Sequence, residues 1–159
     1  MPGEVRSNGR DALDAVNRRL LMELHENPRM SMSELARRVD MSAPAVTERV
    51  RRLEETGVIV GYRMDVDPAA LGLPVTALVR VRPGPGQLAK IAETARDTPQ
   101  VVECHRITGE DCFLLKVHAP SIGELEDLLD RFLLFGQTTT SIVVSTPVPP
   151  RPLIVESLR

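Results

Sequence analysis

Between Met32 and Tyr62 the chain reads MSELARRVDMSAPAVTERVRRLEETGVIVGY, two apolar-striped helical stretches separated by a tight polar turn and followed by a β-prone run. Ser31 or Ser33 is placed to cap the first stretch, with Glu34 favourable in its first turn, and its pattern carries to Asp40. Ser42 caps the next stretch, and Pro44 falls in the first turn, where a missing N–H costs nothing. At one hundred degrees per residue, Val50 and Leu53 lie within about forty degrees of Val46, leaving Thr47, Glu48, Arg51 and Arg52 on the other side. Arg49 flanks the apolar side and is expected to pack its stem there. Gly57 ends the helix, and Val58 to Val66 reads as a strand forming a wing and then a hinge. A short helix, a turn, an Arg-studded second helix and a β-ribbon start form the layout of a winged helix-turn-helix. The expected DNA-facing residues are Ser42, Ala43, Ala45, Thr47, Glu48, Arg51 and Arg52. The arginines would meet phosphate or guanine, Thr47 and Glu48 base edges, and the alanines a thymine methyl.

Charge distribution agrees with that placement. Residues 1 to 63 carry 11 Arg against 10 Asp or Glu, whereas residues 64 to 159 carry 9 basic against 12 acidic groups, so +1 and −3 make the overall −2. The basic end is the nucleic-acid end, through a local patch and not a global field. With no Trp, one Tyr and three Phe, stacking of single-stranded bases has little to work with, which favours duplex DNA. No run approaches the roughly 18 to 20 apolar residues that span a bilayer, and the first thirty residues lack an apolar signal core, so a cytoplasmic location is expected.

The 159 residues suffice for two small domains, each with a modest core that gains from a partner. The division reads as a disordered tail over 1–10, a DNA-binding domain over 11–62, a hinge over 63–74, a second domain over 75–148 and a tail over 149–159. A supporting helix runs from about Asp14 to Asn27, ended by Pro28. After a single capped turn, DPAALG, the pattern changes to strand (Val75 to Arg82), helix (Gln87 to Asp97), strand (Val101 to Thr108), strand (Asp111 to His118), helix (Ser121 to Phe135) and strand (Thr140 to Thr146). That order, βαββαβ, predicts a ferredoxin-like α+β domain.

Helices cover one face of such a sheet, and hairpin parity about Gly109 assigns the other. Val102, Cys104 and Arg106 share the covered face with Phe113, Leu115 and Val117; Val101, Glu103, His105 and Ile107 share the open face with Cys112, Leu114, Lys116 and His118. Mixing apolar with Glu, Lys and His suits a sheet-to-sheet contact between copies, centred on Glu103, His105, Lys116 and His118.

Four stretches in order, LARRVDMSAPAVTERVRRLEETGVIVGY, DPAALG, VVECHRITGEDCFLLKV and GQTTTSIV, resemble the Lrp/AsnC feast/famine transcriptional regulators. The resemblance implies a winged helix, a hinge strand and an effector-binding domain whose sheets pair into dimers that often close into octamers. It also implies an amino acid, or a related metabolite, bound between the loops holding Gly109, Glu110, Asp111, Thr138 and Thr140. An acid there would hold the ammonium and the hydroxyls the carboxylate. Two positions depart from the family pattern. Asp40 stands where the turn usually has Gly, and Asp tolerates positive φ better than most residues. Cys112 and Phe113 stand where an acid and Tyr are usual, which turns the ammonium role to Asp111.

No cofactor, metal or catalytic residue is expected. His25, His105 and His118 have no ligand spacing, the GPG of residues 84–86 needs only a turn, and Cys104 and Cys112 read as reduced thiols. Siroheme decarboxylases share the architecture, but their His-Asn-Tyr stretch is replaced here by ECHRIT and the chain has no Trp. An effector-independent DNA-compacting protein is the other alternative.

Overall fold

The computed structural model describes residues 13–151 and Leu153. The tail expected over 1–10 lies outside them, as does most of that over 149–159. One compact unit ends at Met64 and another spans Asp65–Pro149.

The first unit holds three helices, α1 (Ala15–Glu26), α2 (Met32–Arg38) and α3 (Ala43–Glu55). Each begins at a side-chain cap: Asp14 accepts from Asn17 N at 2.7 Å, Ser31 from Glu34 N at 3.2 Å and Ser42 from Ala45 N at 3.4 Å. These caps satisfy N–H groups that a helix start leaves without a partner. Leu20, Leu24, Met30, Leu35, Ala36, Val39, Val46 and Val50 form the core, joined by the buried Leu53. Such side chains each contribute about 1.5–3 kcal/mol on burial. Helix α2 stops short of the expected Asp40 because the chain turns there: Met41 N donates to Ala36 O, and Asp40 takes φ 55°, the one positive φ outside glycine among the described residues. The tolerance expected of Asp is used.

The strand expected over Val58 to Val66 is not formed. Val58 N and Ile59 N both fold back onto Leu53 O, after Gly57 at φ 74°. Ile59 then packs on the core, and Tyr62 Oη donates to Glu54 Oε1 at 2.9 Å. A strand requires a ladder partner, and among the described residues no segment pairs there. Val60 and Met64 consequently stay exposed.

The second unit opens with a 3-10 turn, Pro68–Leu71, capped by Asp67 and closed by Gly72 at φ 76°. The elements β1 (Val75–Pro83), α4 (Leu88–Arg96), β2 (Val101–Arg106), β3 (Phe113–Ala119), α5 (Ile122–Leu133) and β4 (Gly136–Ile142) follow in the βαββαβ order. The antiparallel sheet runs β2-β3-β1-β4. Ala77, Val79 and Val81 of β1 and Phe113, Leu115 and Val117 of β3 bury one face against Ile91, Leu125, Leu128 and Phe132 of the helices.

Two details differ from parity and pattern. A bulge between Val101 and Glu103 pairs Val101 with Val117, so Val101 packs on the core instead of its expected open face, while Val102 is exposed instead of buried. The last strand begins at Gly136, not Thr140, because Gly136 pairs with Pro83 and the ladder ends at Ile142 opposite Ala77. Past Ile142, Val143 N adds a bond to Thr76 O.

Candidate functional site

Helix α3 presents its exposed side as expected, but its charges are already partnered. Arg51 donates through Nη2 and Nε to the two oxygens of Glu48, at 2.6 and 3.0 Å, and through Nη1 to Glu55 Oε1. The hydrogen bond from Arg51 holds the Glu48 carboxyl below the usual range, and Glu48 in turn raises the guanidinium. Arg52 is exposed and closes no ion pair among the described residues, though its charge also helps to lower the Glu48 carboxyl. Thr47 spends its hydroxyl proton on Ala43 O at 2.8 Å. Ala43, which packs on the apolar core, and Ala45 are both half-buried. Arg49 ties α3 to α1, donating to Asp14 Oδ2 at 2.7 Å and Asn17 Oδ1 at 3.0 Å. Ser42, Thr47, Glu48, Arg51 and Arg52 are the exposed members of the expected groove-facing set.

The expected effector residues are brought to one end of the sheet but not onto one face. Asp111 Oδ1 lies 3.4 Å from Arg82 Nε and Oδ2 3.9 Å from Arg80 Nε, while Glu110 meets Arg82 Nη2 at 2.7 Å. Thr138 and Thr140 pair with Val81 and Val79, the buried residues of β1, and so turn toward the helices. Gln137 and Thr139, opposite Arg82 and Arg80, share the open face with Asp111. Alternation along β4 thus divides Thr138 and Thr140 from Asp111 within the single chain. Arg80 and Arg82 are functional candidates missed in the sequence. The alternation V-R-V-R of β1, phased against the hairpin, was the signal that pointed to them.

Glu103, His105, Lys116 and His118 do share the open face. Glu103 lies 3.5 Å from Lys116 Nζ and 3.4 Å from His105 Nε2; burial raises its pKa, and the two partners outweigh that and lower it. His118 Nδ1 is 2.9 Å from Thr76 Oγ1, and burial holds the imidazole below its ordinary value. Cys104 and Arg106, expected in the core, instead line an open groove of about 670 Å3 with Leu88, Ala92 and Arg96, because β2 is an edge strand that α4 only partly covers. Arg106 sits 5.8 Å from the centroid of the Phe113 ring.

Residues 13–60 match the winged helix-turn-helix DNA-binding family, and residues 76–153 match the Lrp/AsnC ligand binding domain. The transcriptional regulator LrpC of Bacillus subtilis is 35% identical over 133 residues, 84% of this chain and 92% of the relative.

The chain belongs to the Lrp/AsnC family.

Another Lrp/AsnC relative, the regulator LrpA of Mycobacterium tuberculosis, is 36% identical over 139 residues, 86% of this chain and 93% of its own. A solved feast or famine regulatory protein from M. tuberculosis, complexed with L-methionine, superposes with TM-score 0.83 at 35% identity, covering 89% of this chain and 99% of that one.

Proposed function

We propose that this Lrp/AsnC chain is a transcriptional regulator that reads duplex DNA as a dimer through α3. In this reading it tunes that binding to an amino acid or related metabolite held at the Arg82 end of the sheet. The observation that carries the DNA reading is the two-sided α3, with Val46, Val50 and Leu53 buried and Thr47, Glu48, Arg51 and Arg52 exposed. Relatives named as transcriptional regulators favour this reading over a siroheme-decarboxylase-like enzyme. Among the described residues no helix is long and apolar enough to cross a membrane, in keeping with action in the cytoplasm.

For the ligand, the quartet Arg80, Arg82, Glu110 and Asp111 balances its charges, which suits a zwitterion. Asp111 accepts from the ammonium and Arg82 donates to the carboxylate, so one internal ion pair is exchanged for two external ones. Glu103, His105, Lys116 and His118 with Leu78 and Leu114 form the dimer face, a mixed surface that leaves Leu78 40% exposed in the single chain.

The test is the salt dependence of binding to a duplex selected from a random pool, for the parent and Arg52→Ala. Loss of one phosphate contact makes the slope of log K against log salt less negative by about 0.9 per protomer. Unchanged slope and affinity, in a variant of unchanged oligomer mass, would remove α3 from the interface.

A further inference from the structure

Glu48, Arg51 and Glu55 fall at i, i+3 and i+7 on α3 and form one exposed stripe. All three guanidinium nitrogens of Arg51 are engaged: Nε and Nη2 grip Glu48 as a fork, and Nη1 holds Glu55. One positive charge against two negative leaves the stripe net anionic. A phosphate approaching α3 therefore meets Arg52, which closes no ion pair among the described residues although its charge is felt by Glu48, while Arg51 is shielded. The neighbouring α2 repeats the habit, with Arg37 and Arg38 both on Glu34 and Arg38 also on Glu23 at 2.8 Å.

We propose that the Glu48–Arg51–Glu55 clamp is a specificity device, in which a base amino group must take Glu48 before Arg51 is released to the DNA. The inference rests on α3 being the reading helix. In the major groove, cytosine N4 offers the donor that a glutamate accepts, whereas guanine O6 and thymine O4 present acceptors that repel it, and adenine sets its N6 donor beside the repelling N7 acceptor of the same base. At a cognate C·G pair Glu48 turns to the base, and the freed Nε and Nη2 edge of Arg51 turns to a phosphate or guanine. Elsewhere the clamp stays shut and its excess negative charge weakens attachment. The exchange is feasible because the participants are exposed and such pairs are individually weak. Glu55 touches no base in this scheme. It governs selectivity by keeping Arg51 occupied at the wrong sequence.

The test compares intact parent, Glu55→Gln, Glu48→Gln and Arg52→Ala by fluorescence anisotropy on the selected duplex and on an unrelated duplex, from about 0.05 to about 0.2 M salt. With the clamp, Glu55→Gln leaves the Glu48 fork in place but frees Arg51 Nη1 for a phosphate, so it binds the unrelated duplex roughly five- to tenfold more tightly at about 0.1 M salt, with a slope steeper by about 0.9 per protomer. Its preference for the selected duplex falls by a similar factor. Glu48→Gln likewise gains on the unrelated duplex and loses its preference for one C·G pair. If Glu55→Gln leaves affinity and slope on the unrelated duplex unchanged while Arg52→Ala flattens the slope, the clamp is overturned and α3 remains the reader. If Arg52→Ala is also without effect, α3 is not the reader and the clamp falls with it.

Discussion

Arg82, near the end of β1, closes a 2.7 Å ion pair on Glu110 in the β2–β3 turn, and its Nε lies 3.4 Å from Asp111. The two loops that the sequence suggested for ligand binding are thus joined by a strand residue between them. Asp111→Asn removes the negative charge that would hold the ammonium, and Arg82→Gln the positive charge that would hold the carboxylate. A hydrogen bond to a charged group contributes about 1.5–3 kcal/mol, so each variant is expected to bind the amino-acid ligand roughly 10- to 100-fold more weakly in calorimetry. Duplex binding without ligand should be unaltered. Parental ligand affinity in either variant would move the site elsewhere.

His118 beside Thr76 is expected to make the second domain sensitive to mild acid. Burial, with a smaller contribution from Lys116 and opposed by Glu103, holds His118 below its ordinary value of 6.5. The unfolded chain therefore takes up the proton at a higher pH than the folded one. The stabilisation is present above the unfolded value and is lost as pH falls through it toward the lower folded value. In thermal melts from about pH 7.5 down to about pH 5, His118→Gln should lose less Tm than the parent. Equal losses would show that His118 does not titrate differently on folding.

Gly136 starts β4 because a side chain does not fit there. A Cβ at this position would stand 2.3 Å from Arg82 O and 3.0 Å from Pro83 Cα, both backbone atoms that cannot swing aside. Gly136→Ala must lift β4 off β1, with an expected loss of roughly 1–3 kcal/mol in urea unfolding. Because the clash is with Arg82 itself, ligand affinity should fall as well. A variant as stable as the parent would mean that the β1–β4 approach is looser than described.

What was legible in the sequence was set by local chemistry. Ser31, Ser42 and Asp67 each cap the turn that follows them, and Gly57 and Gly72 take the positive φ their positions require. The apolar stripe of α3 and the order of the second domain follow from periodicity alone. What escaped depended on partners or on counting. The run from Val58 to Val66 has strand propensity but no ladder in the single chain, so its exposed Val60 and Met64 await whatever covers them. The register shift at Val102 put Val101 on the core and left Val102 exposed, while Glu103 and His105 stayed correctly placed. The strand start at Gly136 put Thr139, not Thr138 or Thr140, on the face of Asp111. Arg51 looked free on a helical wheel because i+3 and i+4 partners quench a charge without disturbing the pattern.

The most direct measurement is the affinity of the intact protein for its selected duplex with and without each of the twenty amino acids at saturation, read by fluorescence anisotropy. Coupling of about 1–3 kcal/mol corresponds to a roughly 5- to 150-fold change in duplex affinity, expected for at least one of them and abolished in Asp111→Asn. A duplex affinity indifferent to all twenty would contradict an amino-acid-responsive regulator and favour effector-independent DNA binding.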